Sequence, residues 1–388
     1  MKKKDELQIN DDIYNLNIDN LGDNLLYYPY HTRHLLKLIN SDIDKDLPQY
    51  ISAYNGFKGE LYENVVGELL LQYAIKHPDI TKFVLKGPHQ PHSNKANEKF
   101  GLLMDKSKQI VYKAGYKDVS EYDAMFFTKD SIYFVESTIV VSTMSLRKRL
   151  RKKEALLSLL FPNLKVKALI ILSEGATGIH RFPSFATVWV TKQLDPSKIL
   201  KKLALGTKYK KQPLQQYKSK KLIHANSLKI NHFKYFDTLG WIFRKTLHKD
   251  TKKINEKFFL SKEVMRYTDI YSKVYIGYIT KQTLLKLFNG KSSIINNQSK
   301  EFEQDYVYVT IDKKDDGTFY VVYYAKEIKG NLHKIEILDD NIKISQKDPK
   351  GFTVAETRFI KHCIKPFNQL SLQQVQDINQ RVLTWEQH

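Results

Sequence analysis

The sequence predicts an α/β fold over residues 56–205, in which a mixed β-sheet is flanked by helices. Three observations lead to this prediction. Apolar stripes at helical spacing alternate along the chain with short runs of β-branched and aromatic residues. The strands and helices follow one another in an order that requires crossover connections within one sheet. A polar, basic stretch at 206–221 then separates this region from the rest of the chain.

Two strong helix signals anchor the first region. At 56–77, Leu61, Val65 and Leu69 recur at four-residue spacing, and Pro78 closes the pattern. At 142–160, leucines recur at helical spacing within a run of Lys and Arg. The remaining elements are predicted to be strands at 81–85, 109–113, 124–127, 132–140, 165–172 and 186–190 and a helix at 196–205.

Four segments are predicted along the chain. They are an N-terminal arm of low regularity at 1–55, the α/β domain at 56–205, a basic linker at 206–230 and an α+β C-terminal domain at 231–388. In the last domain, residues 234–288 look helical and aromatic, 306–338 a β-meander turning at 314–317, and 354–364 and 371–383 helical. This domain is expected to serve substrate recognition or partner binding.

The composition excludes several classes of protein. Of the 388 residues 42% are hydrophobic, and no apolar run approaches the roughly 20 residues that a membrane-spanning helix needs. No apolar segment follows Met1, so no secretion signal is predicted. The single cysteine, Cys363, rules out an internal disulfide and a cysteine-based zinc site. We therefore expect a cytoplasmic protein without a membrane partner.

Positive charge is concentrated in one part of the chain. Residues 141–230 hold 20 Lys and Arg residues against three acids, and so carry +17 of the net charge of +21. A localised basic face of this kind is typical of a protein that binds a polyanion, most often nucleic acid. A general excess of lysine is the alternative, but it would be expected to raise Asp, Glu and Asn here as well.

Two carboxylates flank a predicted hairpin. Asp123 precedes a strand at 124–127, residues 128–131 form the turn, and Glu136 lies within the returning strand. Both acids are therefore expected at the same end of the strand pair. Neighbouring carboxylates repel each other unless a cation lies between them, and a hard divalent ion with oxygen ligands is the usual solution. The pattern predicts a magnesium-dependent phosphodiesterase site.

Three short motifs follow one another in this region. They are Gly59-x-x-Tyr62-Glu63-x-x-Val66 on a helix, Tyr122-Asp123, and Val135-Glu136-x-Thr138 followed by a basic helix. Together they resemble the PD-(D/E)XK, or restriction-endonuclease-like, superfamily, with type IV restriction enzymes and Holliday-junction resolvases the most similar. The resemblance covers 56–205. It implies a restriction-endonuclease-like mixed sheet, Glu63, Asp123 and Glu136 as ligands of Mg²⁺ or Mn²⁺, and hydrolysis of DNA in restriction, phage defence or a mobile element.

The motif departs from the family pattern at Thr138, where the superfamily has a lysine. Threonine supplies no positive charge, and its hydroxyl would only orient a water molecule. Three interpretations stay open. In the first, Arg147, Lys148 or Lys113 supplies the cation. In the second, the metal alone generates the hydroxide, and in the third the site is inactive and the domain is a binding scaffold.

Basic residues near the carboxylates are predicted to hold nucleic-acid phosphates. The candidates are Arg147, Lys148, Arg151 and Lys152 on the helix at 142–160, and Lys210 and Lys211 in the linker. Such contacts position a strand without reading its sequence. The competing hypotheses are a catalytically inactive nucleic-acid-binding protein and a protein-interaction scaffold on the same fold. A homodimer and a partner protein are both left open.

Two further groups of polar residues have solvent exposure as one interpretation. Glu60, Glu63 and Glu68 lie on the helix at 56–77, where the alternative to a role in a metal site is a solvated helix face. His89 and His92 lie on a loop that contains two prolines, and the prediction there is solvent exposure rather than metal binding.

Overall fold

The computed structural model describes residues 7–30, 35–36, 39, 44–89, 98–105, 107–115, 117–204, 217–271, 273–288, 306–314, 316–326, 332–338, 341–347 and 368–385. The chain separates into two compact units, Met1–His232 and Phe233–His388. Within the described residues, no helix is both long enough and apolar enough to cross a membrane.

The first unit combines helices with two β-sheets. Its helices are α1 (Asp11–Tyr14), a 3-10 helix (Ile18–Tyr27), α2 (Pro48–Lys76), α3 (Leu146–Leu160) and α4 (Ser197–Ala204). Its strands are β1 (Lys82–Val84), β2 (Phe100–Met104), β3 (Ile110–Ala114), β4 (Lys117–Tyr122), β5 (Ala124–Phe127), β6 (Ser131–Thr138), β7 (Lys165–Ser173), β8 (Ala186–Thr191) and β9 (Leu222–Ile223).

The larger sheet has six strands in the order β8-β7-β6-β5-β1-β9. The pairs β6 with β7, β7 with β8 and β1 with β9 are parallel, whereas β5 runs antiparallel to both β6 and β1. The predicted mixed α/β sheet is thus confirmed. Helix α2 packs on β6 and helix α3 packs on β7. Because side chains alternate across a strand, consecutive residues of β6 point to opposite faces of the sheet.

The hairpin of β5 and β6 has the predicted form. Ala124 pairs with Val135 and Phe127 with Ile132, so Asp123 and Glu136 adjoin the same end of the strand pair. The turn is closed by the amide of Thr128, which donates to the carbonyl of Ser131 over 2.9 Å. Local pattern alone sets this register, because the turn is short and both strands are apolar.

The first unit extends beyond the predicted 56–205 domain at both ends, which corrects the predicted arm and linker. Ile13, Leu21 and Leu25 are fully buried and belong to the same apolar core as α2. At the other end, β9 joins the sheet beside β1, and Lys221 donates from Nζ to the carbonyls that end α2. Long-range packing of this kind leaves no local periodicity in the sequence.

A second, three-stranded sheet was only partly predicted. Strands β2, β3 and β4 pair antiparallel in that order, whereas the sequence pattern had indicated only the central strand. Strand β4 ends at Tyr122, and Asp123 alone separates it from β5. The chain therefore passes from the small sheet to the large one at the residue that carries the predicted carboxylate.

The second unit contains α5 (Tyr235–Lys245), α6 (Glu256–Phe259), α7 (Lys262–Ile270), β10 (Val274–Thr280), α8 (Lys281–Leu287), β11 (Tyr306–Lys313), β12 (Phe319–Lys326), β13 (Leu332–Leu338), β14 (Asn341–Lys347) and α9 (Leu372–Thr384). Strands β10 to β14 pair antiparallel in sequence order, which confirms the predicted meander and adds a strand at each end. Strand β10 lies inside the stretch predicted to be helical. The predicted helix at 354–364 and Cys363 lie outside the described residues.

The aromatic residues of the second unit form its core. Tyr235 and Phe243 are buried, and the ring of Trp241 packs edge-on against Phe258 with 5.6 Å between centroids. Asn368 reaches this core as well, and donates from its side chain to the carbonyl of Ile276 over 3.3 Å. Tyr235 and Phe243 are therefore core residues of this unit.

Candidate active site

An open cleft of about 350 Å³ in the first unit contains the three predicted carboxylates. It is lined by residues from α2, from β4, from the residue after β4, from β6 and from α3. The lining residues are Glu63, Asp118, Val119, Ser120, Glu121, Asp123, Glu136, Arg149, Lys152 and Lys153. Residues far apart in the chain thus form one charged site, and five of the lining residues are acidic.

Asp123 is held by the strand opposite it. Its Oδ2 atom accepts a hydrogen bond from the backbone amide of Ser137 over 2.7 Å and another from the hydroxyl of Ser137 over 3.1 Å. Hydrogen bonds from a backbone amide and a hydroxyl fix the orientation of a carboxylate oxygen. The hairpin register therefore sets the direction of one oxygen and leaves Oδ1 available to the cleft.

Glu136 lies on β6 and is only 2% exposed. Its Oε1 accepts a hydrogen bond from the ammonium group of Lys153, and its Oε2 lies 3.1 Å from Nε of Arg149. Both cations come from α3. A buried carboxylate must be paired and hydrogen-bonded to remain charged, and here two cations from one helix provide this pairing.

Lys153 is itself buried at the floor of this arrangement. Burial lowers its pKa, while the carboxylates of Asp123, Glu121 and Glu63 oppose that shift. The ammonium group also lies 5.4 Å from the centroid of the Tyr122 ring, within the range of a cation–π contact. The ammonium group of Lys153 therefore interacts with Asp123, Glu121 and Glu63 as well as with Glu136.

Glu63 projects from α2 into the cleft. The pKa of Glu63 is raised to about 8, first by burial and then by the nearby Asp123 carboxylate, while Lys86 opposes the shift. Glu121, which the sequence analysis did not select, also lines the cleft, and its pKa is raised by burial and by Asp123. Carboxyl groups thus lie close together in the cleft, and a bound cation would favour their ionised forms.

Lys86 is a second cation that sequence reasoning missed. It is buried, and its Nζ donates to Oε1 of Gln109 over 3.4 Å. Its stem passes over Gly67 of α2, where an added Cβ would lie 3.1 Å from Cε of Lys86. Gly67 is one helical turn after Glu63, so the absence of a side chain there gives the Lys86 stem room on the same side of α2.

The predicted substitute cations Arg147, Lys148 and Lys113 do not line the cleft, although Lys113 pairs with Asp118, which does. Lys148 is exposed, Arg147 is half-buried, and Lys113 lies 3.5 Å from Asp118. Of the other predicted phosphate-binding residues, Lys152 lines the cleft and Arg151 does not, whereas Lys210 and Lys211 lie outside the described residues. The residues that contact Glu136 are Lys153 and Arg149, which belong to the predicted basic helix but were not selected.

Thr138 does not line the cleft. Its hydroxyl accepts a hydrogen bond from the backbone amide of Val140 over 3.3 Å, at the end of β6. A threonine that bonds its own backbone two residues on stabilises a turn. The predicted role for this hydroxyl in orienting a water molecule is therefore not supported by its position.

A hard divalent cation would find oxygen donors in this cleft but no complete set of ligands. In the part of the chain that is described, no three His, Cys, Asp or Glu side chains are grouped closely enough to hold a metal ion. Glu136 is engaged on both oxygens by Lys153 and Arg149. Glu63 and Asp123 carry no ion pair with other described residues, and their carboxylates are of the type that Mg²⁺ binds. These two residues therefore fit a metal as partial ligands.

A buried network away from the cleft corrects two surface assignments. Glu68 on α2 is buried, where its Oε1 accepts from the hydroxyl of Tyr28 over 2.6 Å and lies 2.7 Å from Nε2 of His89. Its Oε2 accepts from the side-chain amide of Asn24 over 3.2 Å. Glu68 and His89 are therefore core residues, because each provides a hydrogen-bond partner for the other. His92 lies outside the described residues.

Comparison of the chain with protein-family models, with curated proteins and with solved structures found no match. The functional interpretation therefore depends on the fold and on the geometry of this cleft.

Proposed function

We propose that this chain is a metal-dependent nuclease that hydrolyses phosphodiester bonds of DNA on a restriction-endonuclease-like sheet. The observation that carries the proposal is the convergence of Glu63, Asp123 and Glu136 in one cleft, with Lys153 bound to Glu136. The family pattern that the sequence resembles requires a lysine beside this glutamate. Here the sequence has Thr138 at that position, and Lys153 of the next helix contacts the glutamate instead.

Glu63 and Asp123 would hold Mg²⁺ or Mn²⁺, in a cleft that Glu121 also lines. When bound, such an ion lowers the pKa of a coordinated water molecule and neutralises charge on the phosphate. The chain itself orients Asp123 through the amide and hydroxyl of Ser137. It also pairs Glu136 with two cations at the wall of the cleft.

Three cations of α3 face the reacting region. Arg149, Lys152 and Lys153 line the cleft beside the carboxylates. Hydrolysis forms a bond between a water oxygen and phosphorus and breaks the bond to one sugar oxygen, and negative charge develops on the phosphate oxygens meanwhile. Preorganised cations at that position stabilise the charge without further rearrangement. The exposed Lys148 on the same helix is placed to contact a neighbouring phosphate.

A second candidate function is binding of nucleic acid without catalysis. It is favoured by the engagement of both Glu136 oxygens and by the lack of a three-carboxylate group in the described residues. In that case Lys153 and Arg149 would hold the site closed as a structural ion-pair cluster. The basic helix α3 would still contact phosphates, so the two functions differ in cleavage rather than in binding.

The test is incubation of the full chain with supercoiled plasmid, single-stranded DNA and RNA in magnesium, in manganese or in a chelator. The proposal predicts metal-dependent nicking of the plasmid that the chelator abolishes. Cleavage that persists in the chelator would contradict the metal requirement. Binding with a steep salt dependence but without cleavage in either metal would favour the second candidate.

A further inference from the structure

The loop from β6 to α3 presents apolar side chains to solvent. Val140, Val141 and Met144 are 45%, 63% and 58% exposed. Single exposed apolar residues are common on protein surfaces and need no explanation. Three of them within five residues form a patch, however, and patches of exposed apolar surface mark sites of interaction. We call Val140, Val141 and Met144 the apolar loop patch.

The backbone under this patch is fixed by a neighbouring segment. The carbonyl of Val141 accepts from the amide of Thr177 over 2.7 Å and from its hydroxyl over 3.1 Å. The hydroxyl of the buried Thr143 donates to the carbonyl of Thr177 over 2.7 Å. Ser142 and Thr177 thus form a parallel bridge between the two segments. These contacts fix the loop in the conformation that exposes Val141 and Met144.

Gly178 is required for the same arrangement. Its φ angle of +80° lies in the left-handed region that favours glycine, and an added Cβ would lie 3.0 Å from the hydroxyl oxygen of Thr143. A larger residue there would displace Thr143 and release the loop. The chain therefore holds an apolar patch outward with several specific contacts, although burying it would remove apolar surface from water.

The patch lies between two segments that contribute to the cleft. Glu136 is on the strand before it, and Arg149, Lys152 and Lys153 are on the helix after it. Helix α3 has a single acid, Glu154, among its six Lys and Arg residues. The partner of the patch must therefore offer negative charge next to an apolar contact surface.

We propose that Val141 and Met144 form a wedge that inserts between stacked base pairs of a DNA duplex held along α3. The inference rests on the proposed function, because it uses the same nucleic acid and the same cleft. A duplex presents phosphates to α3 and the apolar faces of its bases to a side chain that enters a base step. Apolar wedges of this type unstack the step and bend the duplex.

An anionic lipid surface would also offer negative charge and an apolar interior. The duplex is favoured because cations and carboxylates of the adjoining segments share a concave cleft of about 350 Å³. A phosphodiester strand can enter a concave cleft lined by three cations of α3, whereas a flat membrane surface would leave it unfilled. The wedge would also set which DNA is bound, since mismatched, nicked or flexible steps are opened at lower cost.

The experiment uses the full chain and a duplex that carries 2-aminopurine at one base step, whose fluorescence rises on unstacking. The variant is V141S/M144S, and the control is L260S, which removes a 61% exposed apolar side chain from the second unit. The wedge predicts that the fluorescence rise is lost and that binding weakens by about tenfold or more in V141S/M144S. The slope of affinity against salt should stay unchanged, because the phosphate contacts remain. M144Q keeps the side-chain length and is expected to lose less affinity and less of the fluorescence rise. It controls for a general disturbance of the loop.

The outcomes separate the wedge from the nuclease proposal. Equal affinity and equal fluorescence for V141S/M144S and L260S would overturn the wedge and leave the nuclease proposal intact. Unstacking by the unaltered chain without cleavage would support the wedge and contradict the nuclease proposal. If the unaltered chain binds no DNA, both proposals fail. Binding to phosphatidylserine vesicles that is lost in V141S/M144S, with DNA binding unchanged, would overturn the wedge in favour of a membrane contact.

Discussion

The ammonium group of Lys153 donates a hydrogen bond to Oε1 of Glu136, a carboxylate on the adjacent strand β6. The side chain of Glu136 is 2% exposed and that of Lys153 is 7% exposed, so water cannot stabilise either charge. Each depends on the other, and Arg149 completes the pairing of the carboxylate. This buried ion pair links the basic helix to the carboxylates of the cleft, and the first prediction follows from it.

Replacing Lys153 with methionine should destabilise the protein by about 3–5 kcal/mol, because it leaves a buried carboxylate without its nearest cation. The measurement is urea unfolding of K153M, with K148M as a control at an exposed position of α3. The double variant E136Q/K153M should recover part of the loss, because both charges are then removed. Equal stability of K153M and K148M would show that the pair is not required for folding.

The second prediction concerns the pH dependence of stability at Glu63, whose pKa burial raises to about 8. A carboxyl with a raised pKa in the folded state favours folding when protonated. Its contribution to the free energy of unfolding is therefore complete below about pH 4.5. In the absence of metal, that contribution is lost as the pH rises through about 8. E63Q and the unaltered chain should have equal free energies of unfolding near pH 4.5. At pH 8 that of E63Q should be higher by at least about 1 kcal/mol, or about 2–4 °C in melting temperature.

Thermal unfolding across this pH range measures the difference. E174Q is the control, because Glu174 is exposed. If the difference in melting temperature between E63Q and the unaltered chain is the same at all pH values, the pKa of Glu63 is not raised in the folded protein.

The third prediction concerns metal binding without reference to activity. Magnesium that binds Glu63 and Asp123 in the folded state should stabilise it, by about 2.7 kcal/mol at a hundredfold excess over Kd. The stabilisation by magnesium should be largest at high pH, where Glu63 has lost its proton. D123N should show little gain, whereas D79N, at an exposed aspartate, should behave as the unaltered chain does. An identical magnesium response of D123N and the unaltered chain would place the ion elsewhere.

The fourth prediction concerns the buried network around Glu68. Y28F removes a hydroxyl that donates to Oε1 of Glu68 over 2.6 Å. A hydrogen bond to a buried charged group contributes about 1.5–3 kcal/mol, so Y28F should lose about that amount of unfolding free energy. Y14F, at an exposed tyrosine, is the matched control. Equal stability of the two variants in urea unfolding would show that Tyr28 contributes packing alone.

Local features of the chain were predictable, and the hairpin is the best example. Its strands are continuous in sequence, its turn is short, and its register follows from those two facts, so the neighbouring positions of Asp123 and Glu136 could be anticipated. Helix α2 was predicted from its apolar stripe, although it begins at Pro48 rather than at 56. Its first two turns lack buried residues and so gave no periodic signal.

The cation that pairs with Glu136 was harder to predict. Every residue from 147 to 153 is Lys or Arg except Leu150, so the sequence offers six candidates. A signal was nevertheless present. Lys153 lies three residues after Leu150 and four before Leu157, both buried, so it occupies a position of the apolar stripe. A lysine on a buried stripe needs a buried carboxylate as a partner, and Glu136 was the candidate on the preceding strand.

Contacts between distant segments could not be predicted in this way. Glu68 meets Tyr28 and His89 across 40 and 21 residues, and no local pattern records such a pairing. The same holds for the burial of Leu21 and Leu25 and for the pairing of β9 with β1. In each case the partner is set by the packing of the whole unit, which a window of neighbouring residues does not contain.

The central claim is tested most directly by nicking of supercoiled DNA by the unaltered chain and by D123N, compared in magnesium at protein concentrations that give equal DNA occupancy. Equal occupancy removes binding from the comparison, so any difference reports the chemical step. The account predicts that the unaltered chain nicks the plasmid and that D123N, folded and bound, does so at least about a hundredfold more slowly. Equal nicking by both proteins, or none by either, would contradict the assignment of this cleft as a nuclease site.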